Sequence, residues 1–290
     1  MRRQFKDTAM ELSESDDKIV MVLGDVSVYL LNDFKNKYPD RFYNMGICEN
    51  TLISVSAGLS SQGFYPFIHT IAPFIVERSY EHIKIDLCYN KFGANIMSCG
   101  ASFDYAWDGA THHCYTDLSI LRLLPGMEVL QPGSAKEVDS LIKSQYNNGN
   151  PTYFRLSTQL HDIDIPVEFG KGVVLKDSDS NITIMTAGPI LGNVMKACSE
   201  LDVNIVYFHT IKPIDIELIN RYKDTSIIVV HDAFGLFEAI CEVTGLSISY
   251  YGLPDSFCNW YGQIEDIQKK IGLDVKSINQ FICQKLDISQ

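Results

Sequence analysis

The sequence predicts an α/β protein of two domains, each a mainly parallel β-sheet flanked by helices. Two observations predict it. Short apolar runs alternate with longer stretches of helical character, which is the pattern of βαβ units. Near residue 160 the alternation gives way to a connecting segment and then restarts, which divides the chain into 1–160 and 161–290. A length of 290 residues is enough for two such domains, and 46% hydrophobic with 21% charged residues is the balance of a chain that buries an ordinary core.

In the first domain Ile19–Leu23, Arg41–Met45, Asn95–Cys99, Glu128–Leu130 and Thr152–Leu156 read as short buried strands. Helices are expected between them over Val28–Tyr38, Glu49–Ser61, Ala72–Leu87 and Ser134–Asn147. Pro166–Val174 and the polar run Lys176–Asn181 read as the connection. Ile182–Ala187, Asn204–Phe208 and Ser226–Val230 then repeat the strand pattern, with helices over Leu191–Leu201, Ile214–Tyr222 and Gly235–Gly245.

Composition excludes several classes of function. A net charge of −12 with no basic block argues against nucleic-acid or membrane-surface binding, because phosphate-rich surfaces require clustered Lys and Arg. No apolar run approaches the length of a bilayer span, and no apolar stretch follows the N-terminal arginines, so the start is not read as a secretory signal. The eight cysteines are scattered without a CxxC pair. That spacing fits neither a zinc site nor a disulfide framework and suits reduced thiols in a cytoplasmic protein.

Ligands of open parallel sheets sit beyond the carboxyl ends of the strands. Asp25, Glu49 and the cluster Asp108–His113 fall at such places. Glu49 in MGICENT opens an apolar helix. A first-turn Glu ordinarily only complements the helix dipole. At the start of a helix buried on nearly all sides, it would be partly desolvated, its pKa would rise, and it could donate a proton to a ring nitrogen. The adjacent pair His112–His113 could suggest a metal, but no third ligand lies at helical or hairpin spacing, and no metal ligand is assigned.

The stretch RFYNMGICENTLISVSAGLSSQGFYPFIHTIAPFIVERSYEHI resembles the transketolase and 1-deoxyxylulose-5-phosphate synthase family. The resemblance extends over nearly the whole chain and implies a thiamine diphosphate pyrimidine-binding fold followed by a transketolase C-terminal domain. It implies that Glu49 hydrogen-bonds the aminopyrimidine and favours its imino tautomer, and that Phe74 stacks on that ring. Ile47 and Ile71 join the cofactor-binding set, with Ile71 standing where many relatives have a second Phe. Asp25 resembles the Asp of the family's A-D-L turn. The run Trp107–His113 resembles D-G-P-T-H-H, which places Asp108 and His112 in the sugar channel. Asp108 would accept a hydrogen bond from a donor hydroxyl, and His112, also catalytic, would bind oxygens at the scissile bond. Arg155 after Pro151–Thr152, and Arg2, match phosphate ligands.

The sequence departs from the family at three further places. Ala110 replaces a proline, the loop from Gly100 to Tyr105 lacks the usual basic group, and the region of His231 is degraded, so His231 receives no role. The changes at Gly100, Ala110 and Ile71 point to a specialised sugar. No G-D-G motif occurs. The resemblance therefore implies a separate N-terminal transketolase subunit that carries that motif, binds the diphosphate and Mg²⁺, and joins this chain in an α₂β₂ assembly. The expected reaction is transfer of a two-carbon ketol unit from a ketose to an aldose. Alternatives are a synthase condensing pyruvate with an aldehyde, a 2-oxoacid dehydrogenase β-subunit, and a non-catalytic subunit.

Overall fold

The computed structural model describes residues 1–245 and 248–289. Twelve strands in it form two sheets. They are β1 (Ile19–Leu23), β2 (Phe42–Asn44), β3 (Tyr65–Ile71), β4 (Ala94–Cys99), β5 (Glu128–Leu130), β6 (Pro151–Arg155), β7 (Gly172–Lys176), β8 (Ile182–Ala187), β9 (Asn204–Phe208), β10 (Thr210–Lys212), β11 (Ser226–Val230) and β12 (Ser249–Tyr251). The first sheet runs β10-β5-β6-β4-β3-β1-β2 and is parallel except for β10. The second runs β12-β11-β8-β9-β7 and is parallel except for β7. The α/β class with mainly parallel sheets is as the alternation predicted.

Strands buried on both faces read as unbroken apolar runs. For that reason β1, β5, β8, β9 and β11 have the bounds expected of them. The strand β3 is not among the expected elements. It lies between β1 and β4 yet contains Pro66, a residue that ordinarily argues against a central strand. Its pairing with β4 starts at Phe67, just past the proline, so the missing N–H falls outside that ladder. The first helix, Arg2–Ser13, is also unexpected because its buried side, Phe5, Thr8, Ala9 and Ser13, is small and half polar. The expected connection 166–181 contains β7, and β10, from beyond residue 160, closes the edge of the first sheet against β5.

The single helix expected over Ala72–Leu87 is broken. Helical turns at Ala72–Val76 and Tyr80–His82 lead into a π-helical segment, Ile83–Tyr89. At the first break the N–H groups of Glu77 and Arg78 both donate to the Pro73 carbonyl, at 3.0 and 3.3 Å. Such widened turns are frequent near functional sites. Among the described residues no helix is long and apolar enough to cross a membrane.

Candidate active site

The carboxyl ends of β1 to β4 carry the residues that the sequence singles out. Beyond β2 the chain turns through Gly46 and enters the helix Glu49–Ser61, which turns Leu52, Ile53, Ser56 and Ala57 inward. Glu49, in the first turn, is only 2% exposed. Its Oε2 accepts a 2.6 Å hydrogen bond from Arg78 Nη1, a charge-assisted contact that nothing in the sequence pattern announces. The Arg78 guanidinium also lies over the Phe74 ring, 4.7 Å from its centroid. Phe74 in turn meets the edge of His112 at 5.2 Å. Glu49, Phe74 and His112, from three separate segments, are thus brought together, with Arg78 linking the first two.

The loop after β4 supplies the opposite wall. Gly100 has φ +82°, and a Cβ there would stand 2.5 Å from the Tyr105 ring. Only glycine lets the Tyr105 ring pack this close to the backbone, and its hydroxyl meets Cys99 Sγ at 3.5 Å. Tyr105 faces His112 and Trp107 edge-on. The loop from Gly100 to Tyr105, which has no basic residue, presents an aromatic ring here. Ile71 borders the same glycine. His112 Nδ1 is bonded to Thr111 Oγ1 at 2.9 Å, while Asp108, Trp107 and Ile47 are exposed. Tyr261, from the far end of the chain, packs on Gly109.

A second cluster lies past β1. Asp25 and Ser27 have φ +58° and +57°, a conformation that non-glycine residues adopt rarely and that concentrates at functional sites. Asp25 is exposed and exchanges two hydrogen bonds with the Asn44 side chain, at 2.9 and 3.0 Å, which ties the ends of β1 and β2 together. Arg2 Nη1 donates to Ser27 Oγ at 3.4 Å. Ser27 Oγ lies 2.9 Å from His69 Nε2, and His69 Nδ1 lies 2.6 Å from the Met97 carbonyl. A carbonyl can only accept, so the proton sits on Nδ1 and the Ser27 hydroxyl donates to Nε2. Burial pulls the His69 pKa down to about 4, so the imidazole is neutral. His69 has no counterpart among the residues expected from sequence, because its partners lie 28 and 42 residues away.

Arg155 does not sit as expected of a phosphate ligand. Its side chain is 1% exposed, and Nε donates to Asp117 Oδ2 at 2.8 Å. Nη2 donates to Ser102 Oγ and to the Cys114 carbonyl, at 2.9 and 2.8 Å. Ser102 and Cys114 pair with each other at the base of the loop that carries Asp108 and His112. Arg155 is therefore an internal strut for that loop. The physical reason is its place at the end of β6, a strand buried on both faces, where Asp117 already waits as counter-charge. His231, assigned no role, is likewise buried, with Nε2 bonded to Gln131 at 2.8 Å. Among the described residues no three His, Cys, Asp or Glu side chains gather as a metal-binding group.

Residues 1–162 match the family described as transketolase, pyrimidine binding domain. The chain belongs to the transketolase family. This transketolase chain is 31% identical over 296 residues to one subunit of an apulose-4-phosphate transketolase of Phocaeicola vulgatus, covering 96% of this chain and 94% of the relative. To a 6-deoxy-6-sulfo-D-fructose transketolase subunit of a Clostridium species it is 25% identical over 297 residues, covering 96% and 92%. Among solved structures, a split-gene transketolase described as an inactive β4 tetramer superposes with a TM-score of 0.86 at 28% identity, over 100% of this chain and 98% of that one. The chain is thus a partner-dependent subunit of a transferase that uses thiamine diphosphate. The site suits that cofactor's pyrimidine: a buried carboxylate can meet a ring nitrogen, and the half-buried Phe74 offers a ring face for stacking.

Proposed function

We propose that this chain is the pyrimidine-holding subunit of a transketolase that moves a two-carbon ketol unit from a ketose to an aldose, specialised for an unusual sugar. The observation that carries the reading is the buried Glu49 carboxylate beside Phe74 and His112 at the carboxyl end of a parallel sheet. Thiamine diphosphate, when bound, supplies the nucleophilic carbon and the electron sink. Glu49 hydrogen-bonds the pyrimidine ring nitrogen, and its dry surroundings strengthen that bond. Phe74 stacks on the ring, and Asp25, Ile47 and Ile71 line its pocket. His112 hydrogen-bonds substrate oxygens next to the bond that breaks, Asp108 accepts from a donor hydroxyl, and Arg2 offers a charge to an anionic end of the sugar. Arg155 acts on substrate only through the loop that it braces.

The reading assigns the cofactor diphosphate and Mg²⁺ to a partner chain with a G-D-G motif, in an α₂β₂ assembly in the cytoplasm, with the domain division near residue 160. Support for a specialised sugar comes from relatives named for apulose 4-phosphate and for a sulfonated fructose, and from the aromatic filling at Gly100. The test is co-expression with a G-D-G partner and assay of glycolaldehyde transfer from a panel of ketoses, with thiamine diphosphate and Mg²⁺. Transfer that falls by at least about a hundredfold in Glu49→Gln supports the reading. Cofactor binding without turnover of any ketose would refute it.

A further inference from the structure

The two contacts of Arg78 are the two contacts that an aminopyrimidine would need. Its guanidinium bonds the Glu49 carboxylate at 2.6 Å and lies over the Phe74 ring at 4.7 Å. A guanidinium is planar, cationic and edged with N–H donors, so it satisfies a carboxylate and an aromatic face at once, as a protonated aminopyrimidine does. We propose that Arg78 occupies the seat that the pyrimidine takes and that cofactor binding exchanges the guanidinium for the ring. This inference rests on the thiamine reading of Glu49 and Phe74.

Three features fit an exchange. First, the partners are unequal: the Glu49 side chain is 1% exposed and that of Arg78 is 49% exposed. A carboxylate so enclosed needs a partner at all times, whereas a half-exposed guanidinium can return to water. Second, Arg78 lies at the break after Val76, where the chain leaves α-helical geometry, so its swing does not pull on a continuous helix. Third, Phe74 and Arg78 are four residues apart across that break, so the aromatic platform and the displaced cation move on one short segment. Arg78 thus keeps Glu49 and Phe74 in their working positions before the ring arrives, and it must leave for the ring to enter. Occupancy by Arg78 lowers the apparent affinity for cofactor by the fraction of chains in which the seat is free.

The experiment is calorimetric titration of the chain, assembled with its diphosphate-binding partner, with thiamine diphosphate and Mg²⁺. Wild type is compared with Arg78→Ala, Arg78→Met and the double variant Arg78→Ala/Glu49→Gln, and stopped-flow mixing provides association rates. Arg78→Ala is expected to tighten the apparent Kd about tenfold, chiefly through faster association. Arg78→Met, which keeps the apolar stem, should shift in the same direction and stands in for the alanine variant if that one fails to assemble. Weaker binding, or no change, in the variant that assembles would overturn the exchange, because an arginine that merely props Glu49 in the bound state gives that result. In the Arg78→Ala background the seat is already free, so if adding Glu49→Gln there leaves the Kd unchanged, Glu49 makes no bond to the ring, the thiamine reading itself fails and this inference falls with it. That outcome is separable, because both chains compared lack Arg78.

Discussion

Replacing Arg155 by methionine removes a buried cation that makes three hydrogen bonds, to Asp117, Ser102 and the Cys114 carbonyl. Asp117 would remain 0% exposed, with only the Tyr153 hydroxyl on the same oxygen at 2.6 Å. Breaking a buried pair by removing one partner costs about 3–5 kcal/mol, because the other charge is left uncompensated. At roughly 2–4 °C per kcal/mol for chains somewhat shorter than this one, the melting temperature should fall by on the order of ten degrees. The loop that carries Asp108 and His112 loses its brace at Ser102 and Cys114, so transfer activity should fall as well. Urea denaturation gives the stability change. The double variant Arg155→Met/Asp117→Leu, which removes both charges, should recover most of it. A single variant within about 1 kcal/mol of wild type that instead loses affinity for phosphorylated sugars would refute the strut and restore Arg155 as a phosphate ligand.

Other outcomes follow from the same geometry. Gly100→Ala places a Cβ 2.5 Å from Tyr105 at φ +82°, so it should destabilise by about 1–3 kcal/mol and raise KM for the ketose; unchanged kinetics would show that Tyr105 does not border the sugar. Burial pulls both His69 and His231 down to pKa values of about 4. Their folded values lie below the unfolded ~6.5, so their contribution is complete above about pH 6.5 and is lost as pH falls towards 4, on the order of 2 kcal/mol each by pH 5. Urea midpoints at pH 7 and pH 5 should therefore differ, and His69→Gln should flatten the difference; equal midpoints for wild type would contradict neutral burial.

Much of the fold and part of the site are legible in the chain itself. The strands β1, β5, β8, β9 and β11 are mostly apolar runs whose bounds need no distant information. The place of Glu49 at a helix start is a local pattern, although its role comes only from the family resemblance, and Ser134 caps its helix as a local motif, accepting from the Glu137 N–H at 3.3 Å. The chain also marks Gly100 as lacking a basic neighbour, without saying what fills the space.

Only the tertiary structure decides which side chain answers which. Arg78 reaches Glu49 across 29 residues, Arg155 reaches Asp117 across 38, and His69 reaches Ser27 across 42. Seen in sequence, Arg155 is an arginine at a strand end, and the family resemblance makes it a phosphate ligand. Its role is set by Asp117 being buried beside it. Secondary structure follows from forces between near neighbours, whose periodicity is written along the chain. The partner of a buried charge is fixed by desolvation once the sheets have closed, and that condition exists only in three dimensions.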